Sequence, residues 1–525
     1  MTYSYNILDE AWIPCILLDG RQQYFSTRTI LQSATDIHRI SAEFAPMTAS
    51  ILHFLLAVLY SSLAIQDEDE WERLWQLGVF ELDRIESYLQ NWQHRFDLFD
   101  RDHPFYQDIQ IGSRSKDIVN LKGKTLQVKT VNDIILHVAT GSSATLFDHH
   151  TDEVITSFSP KQMVPLLLMV QGFSLGGMNA TCIPVEKFFA DTPHARGAVF
   201  FLQGKNLFET LMLNLIASSH LEGLDDKNDQ PAWEMEDAFT PDRKKPRGIK
   251  DFLTWQSRRM LLLPDDSNGN GCCEKIYICP GLSLAEEFEN PFYSIYYIEA
   301  KKGELQKKMV RFSQNKALWR DSQVLLEASG TRQKRFRALD WVNNLLMIGC
   351  YNGHINFSAY GLCTEPGKKK AFFYREEILS FPAGYLNDAL LRGELFRCIK
   401  QVDDVKKQLW GAMSVLVEKF LCPDYDDTKN RKPDPSARDA LLNHVDAEQL
   451  FWNGLELHFQ SLLFGLPNDA EKAVTNWNES TQKAAWEALD HAIQALGVST
   501  PALMAGAAAS RVLRFGLKKF FEATD

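Results

Sequence analysis

Between Leu395 and Phe420 the apolar residues recur in steps of three and four: Leu395, Ile399, Val402, Val405, Leu409, Met413, Leu416 and Phe420. Only an α-helix gathers positions so spaced onto one face, and a stripe this long has to be covered by other helices. Partners follow at once. Asp434-Pro435 reads as an N-cap with proline at the first helical position, and the stripe beyond it runs Leu441, Val445, Phe451, Leu455, Phe459 and Leu462. A third helix carries Trp486, Leu489, Ile493 and Leu496 and stops at Gly497, and Thr500-Pro501 opens a fourth that reaches Phe520. Four amphipathic helices on short connections predict an antiparallel four-helix bundle over 379–525.

Residues 1–378 read differently. Short β-like runs (Ile7–Leu18, Gly197–Leu202, Lys275–Cys279, Tyr293–Ile298, Ala371–Tyr374) alternate with helical stretches at Ala49–Ala64 and Leu207–Ser218. Long polar loops interrupt them at Gly112–Leu126, Leu221–Arg247 and Pro264–Gly271. The mixture predicts a large irregular domain, so the fold class is α+β with a helical bundle at the end. A length of 525 residues exceeds one ordinary core, and 45% hydrophobic with 24% charged residues is the balance of a globular protein. The most apolar stretch, Met47–Ile65, holds His53 and several hydroxyl residues without a basic flank, which predicts a buried helix and no membrane span. Nine cysteines, scattered apart from the adjacent Cys272 and Cys273, make no disulfide framework. With no signal-peptide start at Met1–Asn6, the expected compartment is the reducing cytoplasm.

A net charge of −12 excludes a protein that coats nucleic acid through bulk positive charge. The charge is unevenly distributed, however. Residues 1–240 carry 17 Lys/Arg against 32 Asp/Glu, residues 241–375 carry 23 against 14, and residues 376–525 carry 16 against 22. Three clusters fill the basic segment: Lys301, Lys302, Lys307, Lys308 and Arg311; then Arg332, Lys334, Arg335 and Arg337; then Pro366-Gly367-Lys368-Lys369-Lys370 before Phe372, Phe373 and Tyr374. The third has the look of a β-hairpin whose tip offers three cations to phosphates. Any one cluster read alone is a solvated charge run; three in one short window of an acidic chain point to nucleic acid.

Signatures of catalysis are missing: there is no GxxxxGK[ST], GxSxG or HExxH, and no GxGxxG after a strand. His149, His150 and Asp152 are metal-capable, but neighbours on a strand face opposite ways and no distant partner is evident. Cys272, Cys273 and Cys279 lack CxxC spacing. No metal or other cofactor is expected. Gly172-Phe173-Ser174-Leu175-Gly176-Gly177 follows the apolar run Met163–Val170; glycines there allow positive φ or close backbone approach, in a plain turn or at a groove edge.

Several short motifs, taken in order, resemble the CasA family, the large subunit of the type I-E CRISPR Cascade complex. They are Asn6-Ile7-Leu8-Asp9-Glu10-Ala11-Trp12-Ile13-Pro14, His103-Pro104-Phe105, Ala144-Thr145-Leu146-Phe147-Asp148-His149, the glycine loop, Leu253-Thr254-Trp255-Gln256-Ser257-Arg258-Arg259, Ala317-Leu318-Trp319-Arg320-Asp321 and Tyr360-Gly361-Leu362. The resemblance implies an irregular N-terminal domain plus a helical bundle, and binding without catalysis. Such a subunit sits beside the crRNA 5′ handle among the backbone, handle-binding, small and RNA-processing subunits. It reads the protospacer-adjacent motif in double-stranded target DNA, helps open the duplex, and helps recruit the helicase-nuclease. Carried onto this chain, Gly172, Phe173, Ser174, Gly176 and Gly177 become the loop that approaches the minor groove. Phe147 becomes the aromatic that touches the crRNA handle or a neighbouring subunit, and Pro366, Gly367, Lys368, Lys369 and Lys370 stand at the strand-separating wedge. The family usually has glutamine at that tip, and this chain has none there. Two other readings stand beside this one. A metal-dependent nuclease or hydrolase using His149, His150 and Asp152 would lose activity to EDTA. A pure protein scaffold would ignore charge reversal at Lys368–Lys370.

Overall fold

The computed structural model describes residues 3–114, 126–135, 156–182, 186–240, 242–265, 270–300, 303–314, 316–364, 371–423 and 433–521. The chain forms two compact units, Met1–Lys316 with Ala328–Ser380, and Ala317–Glu327 with Phe381–Asp525.

The first unit is mixed α and β. Its central helix is α1 (Ala45–Leu63), which has no charged residue and is buried on nearly every side. Although long and apolar enough to cross a membrane, it is the core element of this unit. Neighbouring elements cover it: α2 (Pro160–Phe173), the helices Leu82–Trp92 and Ile249–Leu253, and a strand from the C-terminal part of the unit. Phe54 on α1 is ringed edge-on by Trp12, Phe96, Phe105 and Trp233, with centroids 5.7–6.3 Å apart. A buried cluster of this size anchors the irregular chain around it, since each buried aromatic removes a large apolar area from water.

Small sheets surround that core. β1 (Gly177–Cys182) and β2 (Glu186–Phe189) pair antiparallel, as do β4 (Arg258–Pro264) and β5 (Cys273–Pro280). β3 (Val199–Leu202) pairs antiparallel with β6 (Ile355–Thr364), whose other neighbour is β7 (Ala371–Phe381). The strands expected near Val199, Ile276, Ile295 and Ala371 are therefore present, with Ala371 opening a strand of 11 residues.

The second unit is helical. α3 (Ala389–Leu421) buries Leu395, Val402, Val405, Leu409, Met413 and Leu416 as its stripe demands. It packs on α5 (Ala447–Gly465), α6 (Ala470–Ala495) and α7 (Thr500–Phe521), with α5 also against α6 and α6 against α7. The helix expected from Pro435 onward is two helices. α4 (Pro435–Val445) is capped by the Asp434 side chain, which accepts from the Ala437 amide at 2.9 Å. The chain then breaks at Asp446, whose φ is +30°. The step of six from Val445 to Phe451 was the mark of that break, because no helix face repeats at six. The third stripe also shifts. α6 buries Ala473, Trp477, Thr481, Ala484, Ala485, Ala488, Leu489 and Ala492, while Trp486 is only half-buried. Small residues continue on α7 with Ala502, Ala505, Gly506 and Ala509, allowing close approach of the helix axes. Ala317–Glu327, which the sequence leaves with the N-terminal domain, belongs to the helical unit. Trp319 stacks on Phe459 at 4.6 Å and meets Trp452 and Trp477 edge-on.

Candidate nucleic-acid interface

The glycine loop begins where α2 ends. A reciprocal cap, Ser159 with Gln162, starts that helix after Pro160 has set its first turn, and the apolar run to Val170 buries it. From Ser174 the chain runs extended beside 189–194. The His194 amide donates to the Gly172 carbonyl at 2.8 Å and the Thr192 amide to the Ser174 carbonyl at 3.0 Å, while the Thr192 hydroxyl accepts from the Ser174 amide at 2.7 Å and donates to the Ser174 carbonyl at 3.1 Å. The Gly176 amide donates to Asp191 Oδ1 at 2.5 Å, and Arg196 grips the same carboxylate in bidentate fashion at 2.7 and 3.2 Å.

The positive-φ possibility is corrected here: Gly172, Gly176 and Gly177 are absent from the residues with φ in the left-handed region. What these positions require is space. A Cβ on Gly176 would stand 2.6 Å from the Phe189 carbonyl oxygen, and one on Gly172 would stand 3.1 Å from His194 Cδ2. Gly177 is the opposite case, with no atom within 4 Å of its Cβ position. So two glycines let the loop lie flat on its support while the third faces outward.

Beneath the loop lies an arginine that sequence reasoning had only as part of a motif. Arg258 is 3% exposed and donates to the carbonyls of Ser257 at 2.9 Å, Ala190 at 2.8 Å and Ser174 at 3.5 Å. Its guanidinium also lies 4.8 Å from the Phe189 ring centroid. Burial pushes its pKa down to about 10, with Asp191 pulling the other way, so the cation persists at neutral pH. Gln171, likewise buried, accepts from the Arg258 amide at 2.7 Å and donates to its carbonyl at 2.8 Å and to Gln256 at 2.9 Å. The signal was available: alternation along Arg258–Pro264 puts Arg258 on the face of Met260 and Leu262, the buried one.

Two stacked histidines, His53 and His194, with ring centroids 4.5 Å apart, complete the support beside a cavity of about 20 Å³, room for one water. Desolvation holds both neutral, His194 down to about 3 and His53 well below the ordinary range, the latter also repelled by His194.

One stretch of chain ties this loop to the strands that flank 365–370. Phe189–His194 backs the glycine loop, and Val199–Leu202 directly after it is β3, with Val199 opposite Tyr360 and Leu202 opposite Phe357 of β6. At the corner, the Gly197 carbonyl lies 3.0 Å from a Cβ placed on Gly361, so glycine in Tyr360-Gly361-Leu362 lets the two segments touch. β6 and β7 flank 365–370, but Pro366, Gly367, Lys368, Lys369 and Lys370 lie outside the described residues, as do Phe147, His149, His150 and Asp152. Of the other basic clusters, the middle one is committed internally. Arg332 pairs with Glu299, Lys334 with Glu289 and Arg335 with Asp340, and Arg337 donates to the Glu222 carbonyl. Lys307 donates to the Glu286 and Phe288 carbonyls, while Lys308 and Arg311 make no ion pair among the described residues. Cys273 and Cys279 are buried, Cys279 against Ile111 and Leu126, and no group suited to a metal occurs among the described residues.

A model of the family described as CRISPR-associated protein Cse1 matches residues 6–488. The chain belongs to the Cse1 family. The CasA/Cse1 protein of Thermus thermophilus is 27% identical over 500 residues, covering 92% of this chain and 91% of that protein. The fold is equally similar to solved structures. The crystal structure of Thermus thermophilus CasA superposes with a TM-score of 0.79 at 23% identity, over 98% of this chain and all of that one. Cse1 of Acidimicrobium ferrooxidans gives 0.79 at 22%, covering 98% of both chains. A chain of a structure described as a CRISPR RNA-guided surveillance complex gives 0.74 at 15%, over 98% of this chain and all of that one.

Proposed function

We propose that this Cse1 chain is the motif-reading subunit of an RNA-guided CRISPR surveillance complex of the Cascade type, acting in the cytoplasm by binding and not by catalysis. The observation that carries the reading is the glycine loop: an extended backbone pinned from below by Arg258, Asp191 and Thr192, with Gly177 left bare. A rigid backbone edge without a side chain suits the minor groove, which is narrow and offers a degenerate pattern. It would yield a relaxed motif preference. The lysines at 368–370, in the segment between the strands tied to that loop, would grip phosphates and help part the duplex next to the motif. Family membership and the likeness to a chain of a surveillance complex support the assembly with crRNA, the backbone, handle-binding, small and RNA-processing subunits, and the helicase-nuclease. An acidic chain of net charge −12 binds free DNA poorly, which favours action inside an assembly whose other subunits supply positive charge.

The deciding experiment is a gel-shift titration of duplex DNA with the crRNA-loaded complex, with and without this chain, over a randomised protospacer-adjacent motif at two salt concentrations. Motif-dependent binding that requires the chain is expected. Identical binding without it would leave protein docking as the role.

A further inference from the structure

His53 lies on α1, the core helix without a charged residue, and is 4% exposed. Rings enclose it: His194 is stacked at 4.5 Å, Phe292 stands edge-on at 4.5 Å, and Phe201 is tilted at 5.0 Å. Neither of its ring nitrogens makes a hydrogen bond among the described residues. Buried polar side chains nearly always find a partner, so an imidazole without one calls for a ligand. The cavity of about 20 Å³ that His53 lines is where that ligand can sit.

Two donors stand open at the same cavity. Trp255, 3% exposed, has no acceptor for its indole N–H among the described residues. His194 supplies the other. The Asn290 side-chain oxygen accepts from the Phe292 amide at 2.9 Å, so the Asn290 nitrogen is the atom that donates to the Pro193 carbonyl and to His194 Nδ1, each at 3.0 Å. Burial keeps His194 neutral, and a neutral ring that accepts at Nδ1 carries its proton on Nε2. That Nε2–H makes no hydrogen bond among the described residues. The remaining polar walls are engaged, Gln171 with Arg258 and Gln256, and the Thr254 hydroxyl with the Lys250 carbonyl and the Ala232 amide.

This set of groups selects the ligand. N–H donors repel a metal cation, and aromatic walls without a charged partner make an anion costly to bury. One water needs roughly 10–15 Å³ by the same measure, so the space holds a single molecule that can both accept and donate. Gly172 keeps the place open. A Cβ there would stand 3.1 Å from His194 Cδ2, the carbon bonded to Nε2, and 3.7 Å from the Ser50 hydroxyl, and both residues line the cavity.

We propose that this cavity binds one fixed water, which accepts from His194 Nε2 and Trp255 Nε1 and donates to His53, and that position 172 is glycine to leave it room. The site stands without the proposed function. Only its bearing on motif reading rests on that function, through the His194 amide that holds the Gly172 carbonyl at the root of the loop.

The test uses the full chain, in crystals diffracting well enough to show ordered water and in solution by water-oxygen relaxation dispersion, which counts long-lived internal waters. A water within hydrogen-bond distance of His194 Nε2 and of a His53 nitrogen is expected, with imidazole nitrogen spectra placing the His194 proton on Nε2. His53→Phe keeps the stack and removes the acceptor, while Gly172→Ala presses a methyl onto the ring edge. Each should lose that water and lower the long-lived count by one. Gly172→Ala should also blunt the motif preference of the crRNA-loaded complex in the gel shift. No water at that position, a His194 proton on Nδ1, or an unchanged count in His53→Phe would each overturn the proposal. A water that is present and lost on substitution, with motif preference unchanged in Gly172→Ala, would uphold the site and sink the loop's reading of the motif.

Discussion

Gly176 and Gly177 are adjacent and chemically identical, yet their surroundings demand opposite outcomes on substitution. Gly176→Ala forces a methyl against the Phe189 carbonyl, a backbone atom that cannot rotate away. A loss of about 1–3 kcal/mol in chemical denaturation, together with lost motif discrimination, is expected. Gly177→Ala meets no atom, so stability should stay within about 0.5 kcal/mol while DNA binding falls. If binding survives Gly177→Ala untouched, the loop does not meet the groove at that residue. The buried histidines give a second expectation. Below pH about 6.5 the unfolded chain takes up protons at His53 and His194 that the folded chain refuses until far lower pH. Stability contributed by keeping them neutral is thus intact above that value and drains as pH falls toward 3, by up to about 1.4 kcal/mol per pH unit for each ring. His53→Phe should reduce that slope by about one proton in urea titrations at pH 7 and pH 5. An unchanged slope would mean that His53 is protonated in the fold.

Elements were legible to the degree that their burial is periodic. The long stripe from Leu395 and the uniform apolarity around Phe54 each name a helix and the face it buries, because period and composition leave no other arrangement. The break at Asp446 was legible only as a six-residue step. The alanine face of α6 hid behind the larger Trp486, since sequence reading weights big side chains while close-packed helices select small ones. In the candidate interface, the sequence singles out the glycines but not the residues that hold them. Asp191, Thr192 and Arg258 meet the loop from 15 to 84 residues away along the chain, and no local pattern encodes that. The basic clusters differ for the same reason: counting cations cannot see that Lys334 and Arg335 are already paired. The hairpin carries the test at this scale. Charge reversal of Lys368, Lys369 and Lys370 to Glu should weaken binding to all sequences alike and flatten the dependence on log salt by about 0.9 for each phosphate left without its cation. Unchanged affinity and slope would remove the wedge role.

For the whole molecule, two units imply two cooperative transitions in calorimetry. Trp319→Ala removes a 3% exposed indole stacked among Phe459, Trp452 and Trp477. It should cost about 3–5 kcal/mol in the helical transition and leave the other in place. A shift of the α+β transition alone would contradict the assignment of Ala317–Glu327 to the helices.

That assignment also sets a timetable for synthesis. Trp319 leaves the ribosome well before Phe459 and Trp477 exist, and at roughly 5–20 residues per second the wait is on the order of ten seconds. Through that interval an indole destined for the helical core has no helices to enter, and the chain has already gone on to finish β6 and β7. The nascent protein therefore carries a sticky loop out of a nearly completed first unit. A holdase that recognises short aromatic segments would find Trp319 accessible then, and buried in the finished fold.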